Sequence, residues 1–258
     1  RGAAFATVLS QGTAFLYGMV HVLRRRLAPF QVPRAPAWSE VRTILHLGIP
    51  SGLQMAVISG GSAAIMSVVT SFGADVVGGF GAAQRLDAVI MLPAQALGIA
   101  VSSMAGQNIG RRNWARVGEI ARVAVLYNLA IMVAVAVVMV LLAEQAIGLF
   151  IQDAEAAAFG AGYLRVVALC YPFLGINFVL NGIVRASGAM YQVLALNITS
   201  FWLLRYPLTA LFSRHLGESG IALGMGASFV ISSAVAYLYF RFGKWRDKQL
   251  FEEPVRSD

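Results

Sequence analysis

Six stretches of this chain are each apolar and long enough to cross a lipid bilayer, and a shorter apolar run precedes them. A helix rises about 1.5 Å per residue, so roughly 20 apolar residues cross the hydrocarbon. The leading run lies at 3–23, and the six spans at 44–72, 78–104, 121–143, 158–183, 191–212 and 219–240. A soluble domain has no use for so much apolar sequence between short loops. An all-α, polytopic membrane bundle is therefore expected. Only 12% of residues are charged, against about 25% in soluble domains.

The loops between the spans fix an orientation. Arg24, Arg25, Arg26, Arg34 and Arg42 follow the leading run, and Arg111, Arg112, Arg116 and Arg122 follow the second span. Arg185 follows the fourth span, and Arg241, Lys244, Arg246, Lys248 and Arg256 follow the last. The alternate loops, near 73–77, 144–157 and 213–218, hold one basic residue, Arg214, beside the acids Asp75, Glu144, Asp153, Glu155 and Glu218. Positive loops face the cytoplasm. A multi-pass protein of a bacterial-type inner (plasma) membrane is expected, with its C-terminus cytoplasmic. The net charge of +8 thus marks boundaries, and a nucleic-acid partner is not expected.

Residues 24–40 carry arginines with Pro29, Pro33 and Pro36. Such a stretch avoids helix and should run extended along the inner surface. Trp38 reads as an interfacial anchor. The first apolar run ends in a basic cluster without a small-residue cleavage site, so it does not read as a secretory signal. The start at Arg1 reads as a truncation inside a membrane protein. Cys170 is the single cysteine, and His21, His46 and His215 are scattered. Neither a disulfide nor a metal cluster is expected.

Polar residues inside the spans point to a cavity. Gln84, Asp87, Met91, Gln95 and Ser102 fall within about 80° on one helix face. A carboxylate near mid-bilayer costs about 2.5–3.5 kcal/mol on insertion scales, so it is paired or lines water. Two readings stay open for Asp87. It is a cation or proton site on a cavity wall, or half of a structural ion pair with Arg165, which lies at similar depth. Ser59, Ser62 and Met66 share a face with Met55 and Thr70. Asn177 and Asn181 stand one turn apart, and Asn197 shares a face with Phe201, Leu204 and Leu208. Weakly polar faces rich in methionine and aromatic groups suit a cavity for varied apolar cations. Ordinary interhelical hydrogen bonding is the competing reading for each residue alone. Four spans carry proline (Pro50, Pro93, Pro172, Pro207), and glycine pairs at 48/52, 106/110 and 220/224 read as helix packing. A nucleotide-binding glycine loop and the common hydrolase motifs are missing, so an enzyme is not expected.

The segments GIPSGLQ (48–54), ALGIAVSSMAGQNIGRRN (96–113) and GIVRASGA (182–189), with AAQRLDAVIMLPAQALG, resemble the C-terminal half of MATE multidrug and toxin extrusion transporters. The resemblance covers about 40–245. It implies two six-helix lobes related by a pseudo-two-fold axis. Residues 1–23 would close a truncated N-terminal lobe, 24–42 link the lobes, 43–243 form the C-terminal lobe, and 244–258 a polar cytoplasmic tail. The implied activity is efflux of drugs or other amphipathic organic cations by alternating access. Protons or sodium would be the coupling ion, with no other cofactor, and the N-terminal lobe would be the missing partner. NorM-type members carry acids at stretches matching Ile58–Ser59 and Leu174–Gly175, and this chain has none there. The chain is more similar to the DinF-type branch, which implies that the coupling acid lies in the N-terminal lobe. A lipid-linked precursor flippase of the same superfamily is the alternative, and it would want a basic cavity. A membrane scaffold subunit is the non-transport alternative.

Overall fold

The computed structural model describes residues 2–25 and 38–247. The proline-bearing part of the expected linker and the tail beyond Asp247 lie outside the described residues. The chain divides into two compact units, 1–43 and 44–258. The first contains helix α1 (Gly2–Arg25), whose last turn carries Arg24 and Arg25, the charge sign a helix C-terminus favours.

The second unit is built from helices alone among the described residues. They are α2 (Trp38–Thr70), which begins in the first unit, α3 (Ala74–Ile90), α4 (Leu92–Gly110), α5 (Trp114–Gly148), α6 (Ala154–Ala168), α7 (Tyr171–Ala186), α8 (Met190–Ile198), α9 (Tyr206–Leu216) and α10 (Ser219–Phe242). Among the described residues four stretches can cross a membrane by length and composition: Glu40–Thr70, Ala74–Gly110, Trp114–Gly148 and Ser219–Phe242. The pair α6 and α7, bent by 55°, makes a fifth. The fifth expected span, 191–212, is helical from Met190 to Leu216, but its middle, Thr199–Arg205, winds as a π-helix. The chain is thus a polytopic helical membrane bundle. Its helices outrun the apolar stretches. The α3–α4 run is 37 residues and α5 is 35, because backbone bonding and caps carry a helix past the hydrocarbon. Asn113 caps α5 by accepting from the Arg116 N–H, and Asp153 caps α6 by accepting from Ala156.

The prolines differ in effect. Pro50 sits inside the unbroken α2. Pro172 opens α7 just after the 55° bend, where a missing N–H and a ring clash break the ladder. Pro207 follows the π-helix, whose wider turn precedes the position that lacks a donor. The glycine pairs also divide. At Gly220 and Gly224 a Cβ would stand 2.2 Å from the Phe212 carbonyl oxygen and 2.5 Å from Thr209 Cα, so they let α10 touch α9. Gly48, Gly52 and Gly110 face open space, and Gly106 has only a loose neighbour. The closest approach of α4 to α7 uses Gly98 and Gly182 instead, where a Cβ on Gly182 would lie 2.5 Å from the Gly98 oxygen.

Two apolar cores result. One joins Phe80 and Ala83 of α3, Met132 and Ile147 of α5, Leu164 of α6, Tyr171 of α7 and Ile221 and Phe229 of α10. The other joins Val101 of α4, Val117 and Ala121 of α5, Ile183 of α7 and Val193 of α8. The second core also takes in Trp245, which has zero exposure. The sequence assigns residue 245 to a polar tail. Instead the chain turns back after Phe242 in a short 3-10 segment, Lys244–Asp247. The Trp245 indole donates to the Phe240 carbonyl at 2.8 Å, stacks on Phe240 and meets Trp114 edge-on at 5.9 Å. An aromatic ring gains more from this apolar seat than from water.

The acid-bearing loops gather at one end of the bundle. Phe72, Asp75, Glu155 and Glu218 line a single pocket of about 670 Å³ there. Tight turns with positive φ at Gly73 and Gly217 close two of these loops.

Candidate functional site

A cavity of about 810 Å³ opens among α2, α4, α7, α8 and the π-helix. Its size falls in the range of small-molecule sites. Of the residues predicted for a pathway, Gln95, Asn177, Asn181 and Asn197 line it. The Asn181 amide donates to Asn177 Oδ1, as their four-residue spacing allows. Ser102, on the same expected stripe as Gln95, also lines it.

The other predicted residues are not in the cavity lining. Gln84 is exposed and Met91 is buried in the first core. Ser59 and Ser62 are exposed on α2, and Met66 packs against the first core. The single stripe on α3–α4 is therefore divided. Its α4 end reaches the cavity, while its α3 end does not.

Asp87 stands in the last turns of α3, half-buried. The Tyr171 hydroxyl donates to its carboxylate, and the Arg205 guanidinium attracts it electrostatically. The expected pair with Arg165 is not formed. Arg165 instead donates to Glu144 at 2.8 Å on an exposed face, with side chains 44% and 70% accessible. Depth in the sequence matched Arg165 to Asp87, but helix α6 presents Arg165 to α5, and the pair forms there.

The cavity is also more basic than the faces chosen from sequence. Arg185 and Arg205 both line it, and among the described residues no carboxylate does. Arg205 is 9% exposed, and its guanidinium lies 3.9 Å from the Phe201 ring centre and 4.6 Å from that of Phe229. Its Nε donates to Ser228 Oγ at 3.4 Å. Flat guanidinium on flat ring is favourable in a desolvated setting. At the other end, Arg185 Nη2 and Asn197 Nδ2 both donate to Gln54 Oε1, at 3.3 and 3.4 Å. Gln54 is 5% exposed, and its own amide donates to the Met190 carbonyl at 3.4 Å. Beside the bend, the buried Asn128 donates to the Pro172 carbonyl at 3.1 Å, packed where Gly175 leaves no Cβ in its way.

Sequence reasoning missed Arg205, Tyr171, Gln54 and Asn128. A signal existed for Arg205, because a lone arginine inside an apolar run with phenylalanine four residues earlier is a helical cation–π spacing. For Tyr171 nothing in one sequence shows which helix meets it.

A model of the family described as MatE matches residues 50–211, more than half of the chain. The probable multidrug resistance protein YpnP of Bacillus subtilis is 58% identical over 252 residues, covering 98% of this chain and 57% of that relative. The probable multidrug resistance protein NorM of Thermotoga maritima is 26% identical, over 96% of this chain and 54% of its own length. The chain therefore spans about half the length of these curated relatives. The crystal structure of the Vibrio cholerae MATE transporter VcmN in the bent form superposes with a TM-score of 0.87 over 97% of this chain and 57% of that one, at 19% identity. The helical bundle with its internal cavity, the family match and the shared fold lead to one assignment: this chain belongs to the MatE family of transporters.

Proposed function

We propose that this chain supplies one lobe of a secondary efflux carrier in a bacterial-type inner (plasma) membrane. Amphipathic compounds leave by alternating access in exchange for protons or sodium, with substrate held between this lobe and a second one. The cavity of about 810 Å³, walled by aromatic rings, amides and hydroxyls inside a membrane bundle, carries this reading. Positive loops facing the cytoplasm put the Arg185 end of the cavity on the inner side. The names of the relatives, multidrug resistance proteins, agree with drug-like substrates.

Asp87 takes a structural part in this reading. It lies outside the cavity lining, with its carboxylate engaged by Tyr171 and attracted by Arg205. The coupling acid then belongs to the other lobe of the full-length carrier. The test uses the full-length gene, with drug sensitivity in cells and ion-driven efflux in inside-out vesicles. Efflux that survives collapse of both the proton and the sodium gradient would overturn the coupling.

One observation favours a second reading. A flippase for lipid-linked pyrophosphate wants a basic cavity, and Arg185 with Arg205 supplies one. Flipping of a fluorescent lipid pyrophosphate in vesicles, without drug efflux, would select it.

A further inference from the structure

The charge of the cavity is set by few groups. Among the described residues two guanidinium groups line it and no carboxylate does, the remaining polar lining being amides and hydroxyls. The nearby acid, Asp87, is turned to Tyr171 and is not part of the wall. Asp87 offsets Arg205, which leaves Arg185 as the uncompensated charge of this lobe's wall, and low-dielectric walls concentrate its field on the enclosed space. This lobe's wall therefore attracts an anion at Arg185.

The donors are also arranged for an oxyanion. Arg185 and Asn197 come from different helices, yet both point at one oxygen, Gln54 Oε1, over long bonds of 3.3 and 3.4 Å. That oxygen belongs to a neutral amide. A carboxylate or phosphate oxygen in its place would accept shorter, charge-assisted bonds. Deeper in, Arg205 holds its place by ring stacking and by Nε alone. Its terminal nitrogens have no hydrogen-bond acceptor among the described residues. Between the two arginines run the apolar surfaces of Phe178, Phe201 and Leu174.

We infer that this cavity receives an amphipathic substrate bearing an anionic oxygen group, a carboxylate or a phosphate, with Arg185 and Asn197 gripping the oxygens and the apolar body lying on Phe178 and Phe201 toward Arg205. The inference rests on the carrier reading above and names the substrate class of its site.

The experiment is equilibrium binding to the purified full-length protein in nanodiscs. Fluorescein and rhodamine 6G share a xanthene skeleton and carry opposite charge. Fluorescein binds more tightly, and Arg185→Gln weakens it by about ten- to a hundredfold, the weight of a lost charge-assisted hydrogen bond. Arg185→Lys recovers part of the affinity. Arg111→Gln, a change in an exposed basic loop outside the cavity, leaves it unchanged. Tighter binding of rhodamine 6G, or fluorescein affinity indifferent to Arg185→Gln, overturns the inference. Competition then separates the sources of the anion. Displacement by farnesyl pyrophosphate alone points to a lipid-linked pyrophosphate, displacement by inorganic phosphate as well points to a free phosphate compound, and displacement by neither points to a carboxylate. Each of these keeps the anion assignment. Fluorescein bound through Arg185 but never moved by an ion gradient would sink the carrier reading alone. Ion-driven efflux of rhodamine 6G without fluorescein binding would sink the inference alone.

Discussion

Asp87 and Arg185 are both charged groups in a membrane bundle, and the protein treats them in opposite ways. The carboxylate is drawn in among Tyr171 and the first apolar core, with Arg205 as its electrostatic partner. The guanidinium of Arg185 stands at an open cavity and, among the described residues, is met only by a neutral amide over a long bond. One charge is satisfied within the fold, and the other is left with capacity to spare. The difference separates a group that holds helices together from a group that waits for a ligand. Arg205 belongs to both regions, since it acts on Asp87 and lines the cavity.

The shared residue gives the strongest test. Arg205→Ala removes the cation stacked on Phe201 and Phe229 and the charge that attracts Asp87, so the stability of the purified full-length protein should fall by more than about 2 kcal/mol, the weight of a desolvated cation–π contact. Adding Asp87→Asn should recover part of that loss. A double variant no more stable than the single one would show that the two groups are not coupled.

Tyr171→Phe probes the closed side alone. It removes the donor to Asp87 and should cost about 1–3 kcal/mol, the penalty for a buried polar group left without its bond. Ligand affinity in the cavity should be unmoved. A Tyr171→Phe protein of normal stability but altered affinity would reverse the division drawn above.

Asp87→Asn on its own tests the part assigned to the acid. The amide still accepts from Tyr171, so ion-driven efflux should persist, with a moderate drop in folded yield read by fluorescence size-exclusion chromatography. Normal yield with abolished coupling would make Asp87 the proton carrier.

The smallest effect belongs to Arg165→Ala. Its partner Glu144 is 70% accessible, and exposed pairs contribute only about 0–1 kcal/mol. A loss of several kcal/mol would mean that Arg165 reaches Asp87 after all.

These contrasts also mark what one sequence discloses. The spans and the one-sided arginines were legible because length and charge are local properties, and the bundle follows from them. The face of a helix was legible too, and Gln95, Asn177, Asn181 and Asn197, read as polar faces, line one cavity. Which helix lies opposite that face is set by bends and by glycine contacts. The 55° turn before Tyr171 and the Gly98–Gly182 approach have no length or period to announce them. Arg165 was thus matched to the wrong acid, and Arg205 was passed over inside an apolar run. Gln84 and Ser59 were chosen for polarity, yet they are exposed and lie outside the cavity lining.

Trp245 has a practical consequence for anyone handling the molecule. The last transmembrane helix ends at Phe242, and a tag or reporter spliced directly behind it would pull this indole out of its seat against Trp114 and Phe240. The hole would open into Val117, Ala121 and Ile183, at the end where the basic loops run. A fusion joined beyond Asp247 spares that seat, so the true edge of the folded lobe lies several residues past the point where its hydrophobic sequence stops.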